Sequence, residues 1–421
     1  MRMLSNKRRG IVSVLVAVGL VAIVGVTAVV VDGGLLRDNR RKVQASADAA
    51  ALAAAADLYT RWATNSGVDT GNYARDSALA TAAVNGYTND TTNSIVTVNI
   101  PPTTGTFATK PGYAEVIIEY KQKRGFSGIF GSGNLPVKAR AVARGAWTTF
   151  RNGIIVLDPD DPNSFNANGG SHVEVKGASI NVNSTAPDGT IATGGGTIKS
   201  DDLYMTGSPG YTTTGGSTIT GNLHPNSKPI PDPLAYLPEP DKNTLTNQSA
   251  NKKTLSGNQT YVIFPGVYHG GISISGQANV YMMPGIYYMD GGGFSYTGNG
   301  SLTAYNVMIY NDPSSSSDVI NINGNGAVNI TPMTTGLYAG ISFFQERSST
   351  NEMDVTGNGS MYITGTFYVA GGMLKVTGNG TGNVIGAQYI SNFLNLGGNG
   401  DIFIDWNASP TARLRLIGLV E

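Results

Sequence analysis

Three histidines are the side chains of this sequence best suited to bind a metal or to transfer a proton near neutral pH. They stand far apart, at His172, His224 and His269, without the short spacing of a zinc site. Cysteine is absent, which excludes disulfides and thiolate chemistry. There is no Gly-x-Ser-x-Gly elbow and no phosphate-binding loop ending in Gly-Lys-Ser/Thr. We therefore expect no catalytic, cofactor-binding or metal-binding residues, and a protein that is not an enzyme.

The densest acidic group is Asp158, Asp160 and Asp161, followed closely by Asn163. These oxygens suit Ca²⁺, but the loop is not a complete EF-hand, and a polar loop entering the first repeat explains it equally. Some β-helices degrade polysaccharides with clustered carboxylates, whereas the repeat region here is poor in charge. A membrane-anchored polysaccharide-binding or polysaccharide-degrading protein stays as an alternative function.

Aromatic side chains in the repeat region offer another kind of surface. They suit either a face that binds surface glycans or the core of the repeats, and the pattern does not separate the two. The residues concerned are Tyr268, Tyr281, Tyr287, Tyr288, Tyr310 and Tyr338. Lys and Arg balance Asp and Glu at 28 each, so the composition does not favour nucleic acid as a partner.

Ile11–Val31 is a run without a charged residue that predicts a transmembrane helix. As a helix it would be about 31 Å long, the thickness of a hydrocarbon core. A buried helix of a soluble protein would show a polar face. A cleaved signal peptide would be shorter and end in small residues, whereas this run leads to Asp32. We expect a retained anchor that contacts the lipid bilayer.

The charges flanking the span are nearly balanced, with Lys7, Arg8 and Arg9 before it and a second basic group after it. We expect residues 1–10 to form a cytoplasmic tail, because a short tail is easily retained. The protein is then a single-pass inner-membrane protein with most of its chain periplasmic or extracellular.

Helix-forming character continues from Leu35 to about Trp62. Small and apolar residues recur there at three- and four-residue spacing: Val43, Ala47, Ala50, Ala51, Ala54, Leu58 and Trp62. This narrow stripe predicts close packing, either on the protein's own next domain or on a partner helix in an assembly.

The N-terminal segment resembles TadE/TadG-like proteins of the tight-adherence (Flp) pilus system. The resemblance rests on Lys7-Arg8-Arg9-Gly10, the span, Asp32-Gly33-Gly34, and the stretch Arg41 to Ala53 with its Gln44…Asp48-Ala-Ala-Ala-Leu-Ala pattern. It implies a membrane-anchored, pilin-like protein that contacts other pilus-assembly or pilin proteins. Related prepilins are processed after a Gly followed by Glu five residues on. Leu15 occupies that place here, which argues against polymerisation as a major pilin.

The segment 32–147 predicts an extended helix followed by a small α+β pilin-like unit. A second helix is expected over Tyr73–Tyr87, and strands over Ile95–Ile100, Tyr113–Tyr120 and Leu135–Ala143. An apolar turn, Phe126 to Gly131, separates the last two strands. Similar strands and a similar turn recur in the family that the N-terminus resembles.

Residues 148–421 predict an all-β domain built from repeats. Gly-Asn-Gly recurs around Asn299, Asn325, Asn358, Asn379 and Asn399, between runs of alternating apolar residues. Gly and Asn both tolerate positive φ, and stacked rungs would bury their inward side chains together. We expect a right-handed parallel β-helix of six or seven rungs over 255–410, with earlier rungs within 169–222; a β-sandwich is the alternative.

The Pro-rich segment 228–245 predicts an extended strap rather than a rung. Its motif, and the rung that follows, also resemble the C-terminal region of TadG-like proteins. The expected function is that of a membrane-anchored pilus-assembly or minor-pilin-like protein whose outward-facing β-helix serves structure or adhesion. A standalone adhesin is a further alternative.

Overall fold

The computed structural model describes residues 9–129, 131–379, 384–406 and 411–421. They form two compact units, of which the first contains residues 1–148 and 415–421 and the second residues 149–414. The predicted boundary was wrong at its C-terminal end. Arg415–Glu421 were assigned to the repeat domain, whereas they belong to the first unit.

The first unit combines helices with a four-stranded sheet. Its helices are α1 (Arg9–Thr60), α2 (Trp62–Asn65) and α3 (Tyr73–Val84), and its first strands are β1 (Ser94–Asn99), β2 (Tyr113–Gln122) and β3 (Leu135–Thr149). The C-terminal strand, Arg413–Leu419, adds to β3. Both β1 and β3 are antiparallel to β2. The predicted α+β unit is confirmed, with a fourth strand that the repeat-region pattern concealed. The predicted apolar turn contains a short 3-10 helix, Phe126–Ile129, while Phe130 lies outside the described residues.

The second unit is a β-solenoid of about 11 turns. All strand pairs among its described residues are parallel, so the β-sandwich alternative was wrong. Its first strands are β4 (Asn152–Val156), β5 (Phe165–Ala167), β6 (His172–Lys176), β7 (Ser179–Val182), β8 (Thr190–Ala192), β9 (Thr197–Met205), β10 (Tyr211–Thr213) and β11 (Thr218–His224).

After the strap the chain forms a longer series of rungs. These contain β12 (Asn247–Ser249), β13 (Lys253–Leu255), β14 (Thr260–Ile263), β15 (Gly266–His269), β16 (Ile272–Ile274), β17 (Asn279–Met282), β18 (Gly285–Asp290), β19 (Phe294–Tyr296), β20 (Ser301–Ala304), β21 (Val307–Asp312), β22 (Ile320–Ile322), β23 (Ala327–Ile330), β24 (Ile341–Gln345), β25 (Met353–Gly357), β26 (Met361–Ile363), β27 (Thr366–Gly378), β28 (Val384–Ile385), β29 (Gln388–Gly398) and β30 (Asp401–Asp405).

The rungs do not stack in chain order. The last rung lies on the first, because β29 pairs with β4 and β5, and β30 pairs with β6. From that junction, β7–β9 and then β10–β11 extend the stack one way, while β27 back to β12 extends it the other way. The strap therefore connects the two ends of the stack.

Inward side chains form continuous columns through the rungs. One column runs through Ile272, Phe294, Ile320, Met353 and Leu374, each directly beside the next. All five are buried. Short strands with this buried–intermediate–buried alternation cannot form a core alone, and stacking supplies the missing neighbours above and below.

Two of the Gly-Asn-Gly motifs serve close stacking of the backbones at Gly300 and Gly326, whereas Gly398 of the last motif has a φ of +95°. A Cβ on Gly326 would lie 1.8 Å from the carbonyl oxygen of Gly300, and neither glycine has a φ in the left-handed region. The expectation of left-handed turns at these two glycines was therefore wrong. Asparagines of successive motifs also hydrogen-bond to each other, since Asn325 Nδ2 donates to Asn299 Oδ1 at 3.2 Å.

Replacing Gly326 with Ala should lower the free energy of unfolding by about 1–3 kcal/mol, because the new methyl group has no space between the rungs. Urea unfolding followed by circular dichroism measures the change. Gly170→Ala is the matched control: its Cβ would first meet the Asn399 side chain at 3.3 Å, and its φ is not left-handed. Equal stabilities for the two variants would contradict this explanation.

A buried carboxylate on the inner strand β2 links β1 to β3 in the first unit's sheet. Glu115 accepts hydrogen bonds from Asn99 Nδ2 at 2.7 Å and Arg140 Nε at 2.6 Å, and also from Thr103 and Thr104. Arg140 also bonds to the Glu421 carboxylate at the end of the chain. Burial raises the pKa of Glu115, but these donors outweigh it and lower the pKa to about 2.

Because the folded-state pKa of Glu115 is depressed, its contribution to stability is present above pH 4.5 and is lost as the pH falls toward 2. Glu115→Gln should lower the free energy of unfolding by on the order of 3 kcal/mol at pH 7. The difference between wild type and variant should shrink below pH 4.5, as measured by urea unfolding at a series of pH values. Glu119→Gln, on the same strand but outside this network, is the control; a pH-independent difference for Glu115→Gln would refute the assignment.

Candidate membrane anchor and surface sites

The apolar first half of α1 has the exposure of a lipid-facing helix. Within the described residues, α1 is the one helix long and apolar enough to cross a membrane. From Val12 to Val31 its large aliphatic side chains are largely exposed. The Thr27 hydroxyl donates to the Ile23 carbonyl at 2.8 Å, so this polar group is satisfied inside the helix, as lipid requires.

The second half of α1 is buried within its own unit. The predicted stripe from Val43 to Leu58 lies in one core with α3 and the sheet, whereas Trp62, its last predicted member, begins α2 and is half-buried. Packing is close: a Cβ on Gly145 of β3 would lie 1.8 Å from the carbonyl oxygen of Ala55. The alternative prediction, in which this stripe packs on a partner helix, was therefore wrong, because its side chains already have neighbours.

Asp32 marks the boundary between the two halves. It is the first charged residue after the apolar run, and its side chain is nearly buried. Its carboxylate accepts hydrogen bonds from the backbone N–H groups of Phe126 at 3.0 Å and Ser127 at 2.7 Å. An acidic side chain at the start of the 3-10 helix thus satisfies free N–H groups there and ties the Phe126–Ile129 turn to α1.

The residues considered for metal or acid–base chemistry are dispersed in the structure. No group of three or more His, Cys, Asp or Glu side chains in the described ranges is arranged to hold a metal ion. His224 contacts Asp202 at 2.9 Å, and His269 contacts Asp290 at 2.6 Å. His172 contacts Thr197. Each of these contacts joins two stacked rungs, and the three contacts involve different residues.

The acidic loop is held by its own backbone. Asp158 Oδ1 accepts hydrogen bonds from the N–H groups of Asp160 at 3.2 Å and Asp161 at 2.7 Å. The Ser164 hydroxyl lies 3.3 Å from the same oxygen. This is the geometry of a polar turn that leads into β5, which accounts for the cluster without a cation.

Five of the six aromatic residues proposed for a binding face belong to the core: Tyr268, Tyr287, Tyr288, Tyr310 and Tyr338 are buried. The Tyr268 hydroxyl donates to the Phe264 carbonyl at 2.7 Å. Burial raises the pKa of Tyr268 to about 12, against a smaller lowering by that hydrogen bond. Tyr281 alone of the six is largely exposed.

An exposed apolar patch lies around Tyr281 on the sheet formed by β14, β17, β20, β23, β26 and β28. Val262, Tyr281 and Thr303 lie side by side on successive strands. We define the sheet patch as Val262, Phe264, Tyr281, Met283 and Tyr305, all largely exposed. The sequence contains a signal for this patch that the sequence analysis missed. Successive side chains of a strand point to opposite faces, so the neighbours of the buried Ile263 and Met282 must point outward.

Comparison with known proteins bears on the N-terminal segment. Residues 10–57 match the family model described as "Putative Flp pilus-assembly TadE/G-like". The matched segment contains the apolar run, Asp32 and most of the buried Ala-rich stripe. No curated protein and no solved structure matches the chain.

Proposed function

We propose that this chain, whose residues 10–57 match the TadE/G-like Flp pilus-assembly model, is a membrane-anchored component of pilus assembly. One observation carries the proposal. The matched segment coincides with a helix that has aliphatic side chains exposed along one half and a buried Ala stripe along the other. A lipid-inserted stem continuous with a folded unit is the form expected of a pilin-like protein.

The proposed orientation has residues 1–10 in the cytoplasm and the remaining chain on the outer side of the membrane. The short basic N-terminal tail and the length of chain after the span support it. The proposed role of the solenoid is structural and adhesive rather than catalytic. The sheet patch supports adhesion, since an apolar surface rich in aromatic residues suits binding to another surface.

Gene deletion and complementation test the role. A clean deletion should abolish pili and surface attachment, and the wild-type gene should restore both. Tyr281→Ser combined with Tyr305→Ser should restore pili but not attachment. Tyr362→Ser, an exposed tyrosine of the same sheet outside the patch, is the control and should restore both. Normal pili in the deletion strain would refute the assembly role, and normal attachment in the double variant would refute the role of the patch.

Single cysteines test the orientation, since the native chain has none. Val84→Cys, on the exposed end of α3, should react with a membrane-impermeant maleimide in spheroplasts. Ser5→Cys should react only after lysis. The reverse pattern would overturn the proposed orientation.

A further inference from the structure

The Phe126–Ile129 turn exposes two large apolar side chains that the fold does not use. Phe126 is 51 % exposed and Ile129 is 73 % exposed. Burying them in the core would have been favourable, so their exposure on one short turn calls for an external environment. The turn is held to α1 through the two hydrogen bonds to Asp32 described above.

The turn lies at the end of the lipid-facing half of α1. Asp32 is the first charge after that half, which places its carboxylate at the edge of the hydrocarbon layer if the apolar run spans the membrane. Ala28, one helical turn before Asp32 on the same face, is 1 % exposed, whereas Val29 and Val30 are largely exposed. The folded protein therefore covers one face of α1 at Ala28 and Asp32, alongside the last turn of the apolar run.

Basic residues stand close in sequence to both Asp32 and the turn. Lys123 and Arg124 precede the turn, and Arg37, Arg40 and Arg41 follow Asp32 on α1. Arg124 Nε donates to the Gly133 carbonyl at 3.1 Å. Two acidic residues of α1 lie close in sequence to this boundary. Asp32 accepts hydrogen bonds from the turn, and Asp38 forms an ion pair with Lys42 at 2.8 Å. An apolar tip with basic neighbours is the composition of segments that enter the lipid headgroup layer.

We propose that Phe126 and Ile129 insert into the headgroup layer of the same bilayer that holds α1, with Lys123 and Arg124 facing anionic headgroups. The turn is then a second lipid contact that fixes the depth of the first unit. The bilayer is favoured as the occupant because the turn is continuous with the lipid-facing helix and is fastened to its last charged boundary residue. This inference rests on the proposed membrane anchor.

Fluorescence of the full-length protein in vesicles tests the proposal. Single cysteines at Phe126, Ile129, Val21 and Val68 would carry an environment-sensitive label, in vesicles containing phosphatidylglycerol and lipids with a shallow spin-label quencher. Val68 is the matched control, because it is 52 % exposed and lies far from the boundary. It follows α2, and α1 alone extends about 42 Å from Asp32 to its end at Thr60. Labels at 126 and 129 should be blue-shifted and quenched at least about twofold more than the label at 68.

The four positions separate the two proposals. Water-like emission from the label at Val21 would refute the membrane anchor itself. Protection at Val21 with water-like emission at 126 and 129 would overturn only the insertion of the turn. Insertion seen in native membranes but absent from vesicles would indicate a protein partner and would also overturn lipid contact.

Two further variants test how the turn is positioned. Lys123→Gln should weaken quenching at 129 and reduce its dependence on phosphatidylglycerol, whereas Lys110→Gln, on a loop between β1 and β2, should not. Asp32→Ala should reduce quenching at 126 and leave the label at 21 unchanged, because only the link between turn and helix is lost. Unchanged quenching in both variants would refute the positioning by Asp32 and Lys123.

Discussion

The architecture of the second unit depends on the parallel pairing of β29 with β4 and β5. This pairing puts Tyr389 beside Ile154 and Leu394 beside Phe165, although more than two hundred residues separate each pair in sequence. Once it forms, the chain's entry to and exit from the solenoid occupy adjacent rungs. The C-terminal strand can then return to the sheet of the first unit, and the Glu115–Arg140–Glu421 network fastens it there. The solenoid is thus an insertion between two strands of the first unit's sheet.

The same pairing sets the distance that the strap must cover, which it does with one turn over residues 233–237 and a short 3-10 helix, Lys242–Thr244. Along one face the stack runs from β7 through β4, β29, β27, β24, β21, β18 and β15 to β12. Eight steps of about 4.8 Å amount to about 38 Å. The segment from Ile230 to Asn247 would cover only about 26 Å as an α-helix, but reaches about 53 Å in the extended form that proline favours. Its prolines therefore suit the distance between the two ends.

Contacts along the strap follow the order of the rungs. Ile230 exchanges hydrogen bonds with Asn183 after β7, Asp232 accepts from Tyr368 of β27 at 2.5 Å, and Lys242 pairs with Asp290 of β18 at 3.0 Å. Between them, Arg347 donates to the Leu234 carbonyl at 2.8 Å. Leu234 and Leu237 cover apolar side chains on the outer surface of the stack. The strap thus protects a face that would otherwise expose Tyr310 and Phe344.

Local patterns in the sequence predicted local features well. The apolar run, the Ala stripe and the rungs after residue 255 each follow from periodicity or composition within a short window. The order in which the rungs stack does not follow from such local patterns. β29 pairs with β4 through backbone N–H and C=O groups, which every rung presents alike. The position of a tyrosine inside or outside a rung depends on strand phase, and a shift of one residue exchanges the two faces. Tyr281 and Tyr287 therefore looked alike in sequence and lie on opposite sides of the rung wall.

The two halves of α1 show how one helix serves two environments. Before Asp32 the residues are large and aliphatic, which suits fluid lipid chains that adapt to any surface. Beyond it they are small, which lets β3 approach within backbone contact at Gly145 and Ala55. Gln44 strengthens this half by donating to the Arg140 carbonyl at 3.0 Å. Because the helix is continuous across the boundary and Asp32 holds the turn beside it, a displacement of the span along its axis must carry the first unit with it. A stem joined in this way transmits axial force to its folded unit without a flexible linker.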